Sequence, residues 1–148
     1  MTVAFDLAAC QQILSLSVSA LQAKLDIAHG ETHEDVKYEG LEGVTQYYNP
    51  KSFPGRVYVR DGAVQMVYVP SGAALADVNV RDLKRKLTGK PKEMRSRAGK
   101  EFTHYVYADQ GVAFSADGDE LCFVEVFRGR PLKAYLSEIY QDPGPFIR

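Results

Sequence analysis

The stretch from Thr103 to Phe127 constrains the fold of this chain more than any other. It holds three runs rich in Val, Tyr and Phe: His104 to Ala108, Val112 to Ala116 and Leu121 to Phe127. Asp109-Gln110-Gly111 separates the first two runs, and Asp117-Gly118-Asp119-Glu120 separates the last two. Runs of strand length, punctuated by Asp and Gly where the backbone needs positive φ, predict an antiparallel meander.

The same grammar recurs upstream. Val44 to Tyr48, Arg56 to Arg60 and Ala63 to Val69 read as strands, the last two joined at Asp61-Gly62 by a two-residue hairpin turn. Before them, Leu7, Cys10, Leu14, Val18, Leu21 and Leu25 fall at spacings of three and four. This periodicity predicts one amphipathic helix from Asp6 to about Ala28, capped by Asp6 and ended by His29-Gly30. Leu14 to Ser19 also alternates strictly, as a strand would, and the longer window decides for helix. Val80 to Leu87 reads as a short helix with Val80, Leu83 and Leu87 on one face, stopped by Gly89 and Pro91. Pro131 opens a last helix marked by Leu132, Tyr135, Leu136 and Ile139, and Asp142-Pro143-Gly144-Pro145 ends it.

These elements predict an α+β domain with a predominantly antiparallel sheet and helices packed on one side. A chain of 148 residues fits a single domain with an ordinary core. The order also echoes itself, helix then strands over about 1–72 and again over 78–130, with the 131–140 helix appended. The hairpins at Asp61-Gly62 and Asp117-Gly118 stand in comparable places. Duplication and chance similarity both fit this echo.

A hydrophobic fraction of 45% with 25% charged residues is that of a soluble globular chain. No stretch approaches the roughly 18 uninterrupted apolar residues of a membrane span. Leu7-Ala8-Ala9-Cys10 has the form of a lipoprotein cleavage box, but Asp6 stands where the apolar run of a signal should be, and no Lys or Arg precedes it. Cys10 and Cys122 lie far apart and read as reduced core residues, which together with the missing signal gives a cytoplasmic location as the expectation.

No segment spells a nucleophile with its base, a metal-ligand set, a phosphate loop or a cofactor motif, so no catalytic residue, metal or cofactor is assigned. His29-Gly30-Glu31-Thr32-His33-Glu34-Asp35 gathers two imidazoles and three carboxylates that could hold a divalent ion. Gly30 spoils the helical geometry that would aim both rings at one point, and a polar connector is the better explanation. His104 reads as a partly buried structural residue at a strand start. Glu125 is an acid inside the apolar run Leu121 to Phe127, where an unpaired buried carboxylate would be costly. Arg128 and Arg130 are too close in sequence to be obvious partners.

Strand parity, with Ala108 taken opposite Val112 and Ala116 opposite Leu121, puts Val106, Val112, Phe114, Leu121, Phe123 and Phe127 on a helix-covered face. The other face then carries Tyr105, Tyr107, Ser115, Cys122, Val124 and Val126. Tyr105 and Tyr107 become candidate partner-binding residues, since Tyr offers a large contact area and a polar tip.

Charge is uneven along the chain. Arg81 to Lys100 carries Arg81, Lys84, Arg85, Lys86, Lys90, Lys92, Arg95, Arg97 and Lys100 against Asp82 and Glu93, a local balance of +7. The other 128 residues carry 9 basic and 17 acidic side chains, a balance of −8. A solvated face accounts for such a segment, and so does an anionic partner held by Lys84, Arg85, Lys86, Lys90, Arg95, Arg97 and Lys100. Lys100 to Tyr107 has the aromatic content of an RNA-recognition strand but lacks that motif's glycines, so nucleic acid ranks below a protein partner.

Val80, Asp82, Leu83, Leu87, Gly89 and Pro91, with Tyr105-Val106-Tyr107 and the hairpin ending in Val124 to Phe127, resemble the helix, Gly-x-Pro turn and sheet of SmpA/BamE-like and β-lactamase-inhibitor-like modules. The likeness covers about a third of the chain. It implies a non-enzymatic binding or assembly module that uses its open sheet face and loops for contacts, although SmpA-type proteins are lipoproteins and this chain shows no credible anchor. The expectation is therefore a protein-binding module with an unidentified protein partner and an undetermined oligomeric state. The alternative is a small enzyme with a pocket between helices and sheet, using His104 and Glu125. The third reading is anion or nucleic-acid binding through Arg81 to Lys100.

Overall fold

The computed structural model describes residues 3–25, 32–34, 44, 46–141 and 143. The elements are α1 (Leu7–Ile13), α2 (Val18–Leu25), β1 (Thr32–Glu34), β2 (Gln46–Tyr48), β3 (Arg56–Arg60), β4 (Ala63–Val69), α3 (Val80–Arg85), β5 (Lys92–Arg95), β6 (Thr103–Tyr107), β7 (Val112–Asp117), β8 (Glu120–Phe127) and α4 (Leu132–Glu138). Among the described residues the strands form one sheet in the order β1-β2-β3-β4-β8-β7-β6-β5. All neighbouring pairs are antiparallel, so the chain is an α+β fold on an open antiparallel sheet. Two meanders meet last strand to last strand, with Tyr68 of β4 opposite Glu125 of β8. The Asp61-Gly62 and Gly118-Asp119 turns close the last hairpin of each meander.

The expected long N-terminal helix is two helices. Ser15 Oγ donates to the Gln12 carbonyl at 2.9 Å, competing with the helical ladder, and Ser17 Oγ accepts from Ala20 N at 3.2 Å as the cap of α2. Between them Ser17 bridges Ala63 in strand fashion, and Val18 N donates to the Gly62 carbonyl at 2.9 Å. The alternation of Leu14 to Ser19 thus reports a real extended contact. The helix periodicity on either side of it is equally real.

Thr103 to Phe127 folds as three consecutive antiparallel strands, with one 3₁₀ turn, Ala108–Gln110, in the first connection. Gly111 closes that turn at φ +73°, and a Cβ there would stand 2.1 Å from the Phe127 carbonyl oxygen, so only glycine fits. The turn sets Tyr107, not Ala108, opposite Val112. A bulge then switches parity in β8, since Ser115 faces Phe123 while Ala116 faces Leu121. These two details correct the expected faces. Tyr105 and Tyr107 lie with Val112, Phe114, Ala116, Leu121, Val124 and Val126, while His104, Val106, Ala113, Phe123, Glu125 and Phe127 lie on the opposite face.

The first face carries the main core, where Leu7, Cys10, Ile13 and Leu21 of the N-terminal helices and Val80 and Leu83 of α3 pack on Val57, Val67, Phe114 and Val126. The second face is covered in part by α4, through Tyr135 and Ile139 on Met66, Val106, Ala113 and Phe127. Three helices therefore share one side, and α4 departs from the expected one-sided packing. Arg128, just after β8, donates to the Leu14 carbonyl at the end of α1 at 3.0 Å, which ties the two faces' connections together.

Candidate functional site

Two arrangements concentrate the chain's polar chemistry. The first is a chain of buried side chains under α4. His104 of β6, Ser115 of β7 and Glu125 of β8 point to the same face, and Tyr135 reaches them from the first turns of α4. Ser96 Oγ lies 2.7 Å from Ser115 Oγ, which lies 2.8 Å from His104 Nδ1; His104 Nε2 lies 2.6 Å from the Tyr135 hydroxyl, which donates to Glu125 Oε1 at 2.6 Å. Arg97 Nη1 donates to Glu125 Oε2 at 3.3 Å and its guanidinium lies 4.3 Å from the Phe123 ring centre.

The donors order themselves. With Tyr135 donating to Glu125, His104 must donate from Nε2 and accept at Nδ1 from Ser115. If Glu125 carries the proton the same contacts serve in reverse, so the chain satisfies either state. Among the described residues no buried side-chain nitrogen or oxygen lacks a partner. Burial pushes the Glu125 carboxyl up to about 8, with the Tyr135 hydrogen bond working against it. Burial, reinforced by the Arg97 charge, pulls His104 down to about 3, so its ring is neutral at physiological pH. The Tyr135 hydroxyl is held as a phenol, first by burial and then by the Glu125 charge.

Ser115, His104 and Glu125 are the residue types of a hydrolase, but their exposures are 0%, 1% and 0%. A nucleophile sealed from solvent meets no substrate. The arrangement positions α4 on the sheet instead. Sequence reasoning joined Glu125 and His104 only in the enzyme alternative; the structure sets them 3.5 Å apart and links them through the Tyr135 hydroxyl, which that reasoning missed. It also placed Arg97 on the surface patch, whereas Arg97 turns inward to the buried carboxylate and leaves the anion-binding set. The signal was present as an acid in an apolar strand, which demands a base from elsewhere in the chain.

The second arrangement is a rim built by α3, β5 and β6. Asn79 caps α3, its side chain accepting from Arg81 N at 2.8 Å and Asp82 N at 3.3 Å. Gln110 and Thr88 exchange two hydrogen bonds, 2.7 and 2.8 Å, fastening the loop after α3 to the turn after β6. Arg81, Arg85, Lys86, Lys90, Lys92, Arg95 and Lys100 are exposed. Lys84 lies half-buried with its ammonium 4.1 Å over the Tyr105 ring. β5, absent from the sequence reading, forms the sheet's outer edge here. Tyr107 is buried at 4% and stacked with Phe114, so it belongs to the core and offers no contact surface. Tyr105 keeps part of its ring exposed at the rim.

The His29 to Asp35 grouping lies outside the described residues apart from the backbone of β1. Among the described residues no three His, Cys, Asp or Glu side chains gather as a metal site, and no helix is long and apolar enough to cross a membrane. Comparison with known proteins finds no matching family, no curated relative and no similar solved structure.

Proposed function

We propose that this chain is a binding module that receives an acidic protein partner on the rim of α3, β5 and Tyr105. The observation that carries this reading is the gathering of seven exposed cations, with Lys84 beside them, in a segment whose acids are Asp82, 3.4 Å from Arg85, and Glu93. Such a patch raises the local concentration of anionic groups and speeds their encounter. An acidic protein fits better than single-stranded nucleic acid, which wants exposed aromatic platforms. At this rim Tyr107 is buried and Tyr105 is topped by Lys84. The likeness to binding and assembly modules supports the binding role, and the expected location is cytoplasmic.

The test uses labelled poly-glutamate and a labelled DNA duplex as probes, read by fluorescence anisotropy across a salt series. Replacing Lys84, Arg85, Lys86 and Lys90 together by Gln should weaken poly-glutamate binding at least about tenfold and flatten its salt dependence, with the melting temperature little changed. Equal affinity of the variant at low salt, or duplex bound more tightly than poly-glutamate, overturns the reading.

A further inference from the structure

Beyond charge, the rim has a backbone. β5 ends the sheet, pairing with β6 on one side while no described strand lies on the other. An edge strand presents a row of amide and carbonyl groups that a further strand can take up. Pro91, which lacks an N–H, stands just before it, and the Tyr140 hydroxyl already occupies the Arg95 carbonyl at 2.7 Å. Backbone groups alternate in direction along such a strand, so Lys92 and Met94 turn theirs to β6 while Glu93 and Arg95 turn theirs outward, and the usable edge is short: the Glu93 N–H and carbonyl and the Arg95 N–H.

Its side chains discriminate among the strands that could add. Lys92 and Met94 lie on the face of His104 and Val106, with Met94 partly buried against the apolar cluster there. Glu93 and Arg95 lie on the face of Tyr105. A second copy of this chain adding through β5 would set two such cationic rims, each extended by Lys90, Lys86 and Lys100, against each other, and like charges across strands are destabilising. An acidic strand meets the opposite situation.

We infer that β5 takes an extended acidic segment of a protein partner as an added strand. Running antiparallel, that segment would place an acid opposite Arg95, an apolar residue opposite Met94, a neutral polar residue opposite Glu93 and an acid opposite Lys92. The pattern is Glu-Leu-Thr-Glu or its chemical equivalent. Backbone bonds supply the register and the alternating side chains the selectivity. This inference rests on the rim reading above, which assigns the charge of the partner but not its conformation.

The experiment compares three fluorescein-labelled probes on the full chain: an eight-residue peptide centred on Glu-Leu-Thr-Glu, the same peptide with alternate backbone amides N-methylated on the edge that would pair, and poly-glutamate. Amide hydrogen exchange of the chain is followed in parallel. The expected result is binding of the plain peptide, at least a tenfold loss on N-methylation, and slowed exchange at the Glu93 and Arg95 amides. If all three probes bind alike and exchange at β5 is unchanged, strand addition is overturned while the acidic-partner reading stands. If no acidic probe binds at low salt, both fall.

Discussion

The Tyr135 hydroxyl stands 2.6 Å from Glu125 Oε1, so one atom of α4 completes the coordination of a carboxylate that β8 buries completely. The same oxygen lies 2.6 Å from His104 Nε2. Tyr135→Phe keeps the ring's packing on Phe127 and removes only this link. It strands one buried acceptor and one buried ring nitrogen, and a loss of about 2–5 kcal/mol in urea unfolding is expected from the cost of unsatisfied buried groups. A loss below about 0.5 kcal/mol would show that the hydroxyl is not holding the chain together.

The pH dependence of stability follows from the two titrating members. Folding raises the Glu125 carboxyl from 4.5 to about 8, so its contribution is complete below 4.5 and is lost as pH rises to 8. Folding lowers His104 from 6.5 to about 3, so its contribution is complete above 6.5 and is lost as pH falls to 3. Between 4.5 and 6.5 the two slopes cancel. Outside that window each slope is at most about 1.4 kcal/mol per pH unit. Wild type should therefore lose stability from 6.5 to 8, and subtracting the Glu125→Gln profile, which removes the His104 slope, should leave a fall that runs from 4.5 to 8. Thermal melts across pH check it, and a flat difference there would place the titration on another group.

Tyr105 and Tyr107 should separate cleanly when each is replaced by Ala. Tyr107→Ala empties a buried core position and should cost about 3–5 kcal/mol of stability. Tyr105→Ala removes a half-exposed ring under Lys84 and should cost about 1 kcal/mol while weakening poly-glutamate binding. Equal destabilisation by the two would contradict their unequal burial, Tyr107 inside the core and Tyr105 at its rim.

Two glycines of positive φ should behave differently. Gly111→Ala forces a Cβ to 2.1 Å from the Phe127 carbonyl oxygen, a backbone clash that cannot relax by a rotamer change, and should cost more than about 4 kcal/mol or prevent folding. Gly118→Ala meets nothing within 4 Å and pays only its left-handed conformation, about 1–2 kcal/mol. Circular dichroism melts of the two variants make the comparison.

The local alphabet of the chain was enough for the strands at Arg56–Arg60, Ala63–Val69 and the Thr103 to Phe127 meander, because runs of β-branched and aromatic residues bounded by Asp-Gly signals are decided within ten residues or so. The helix at Val80 and the one after Pro131 were legible from apolar residues at spacings of three and four beside Gly and Pro boundaries. Glu125 could be recognised as an anomaly from its neighbours alone. What its neighbours could not supply was Arg97, 28 positions away, or Tyr135, whose hydroxyl arrives only because α4 crosses to the second face. The faces of Tyr105 and Tyr107 depended on one residue of register and one bulge, and a period of two turns any such slip into a full exchange of inside for outside. β5 carries four residues of mostly charged type, so its strand conformation comes from pairing with β6 and not from its own composition. The break at Ser17 likewise exists because Ala63 and Gly62 are there to receive it, a contact between segments that helical periodicity by itself cannot register.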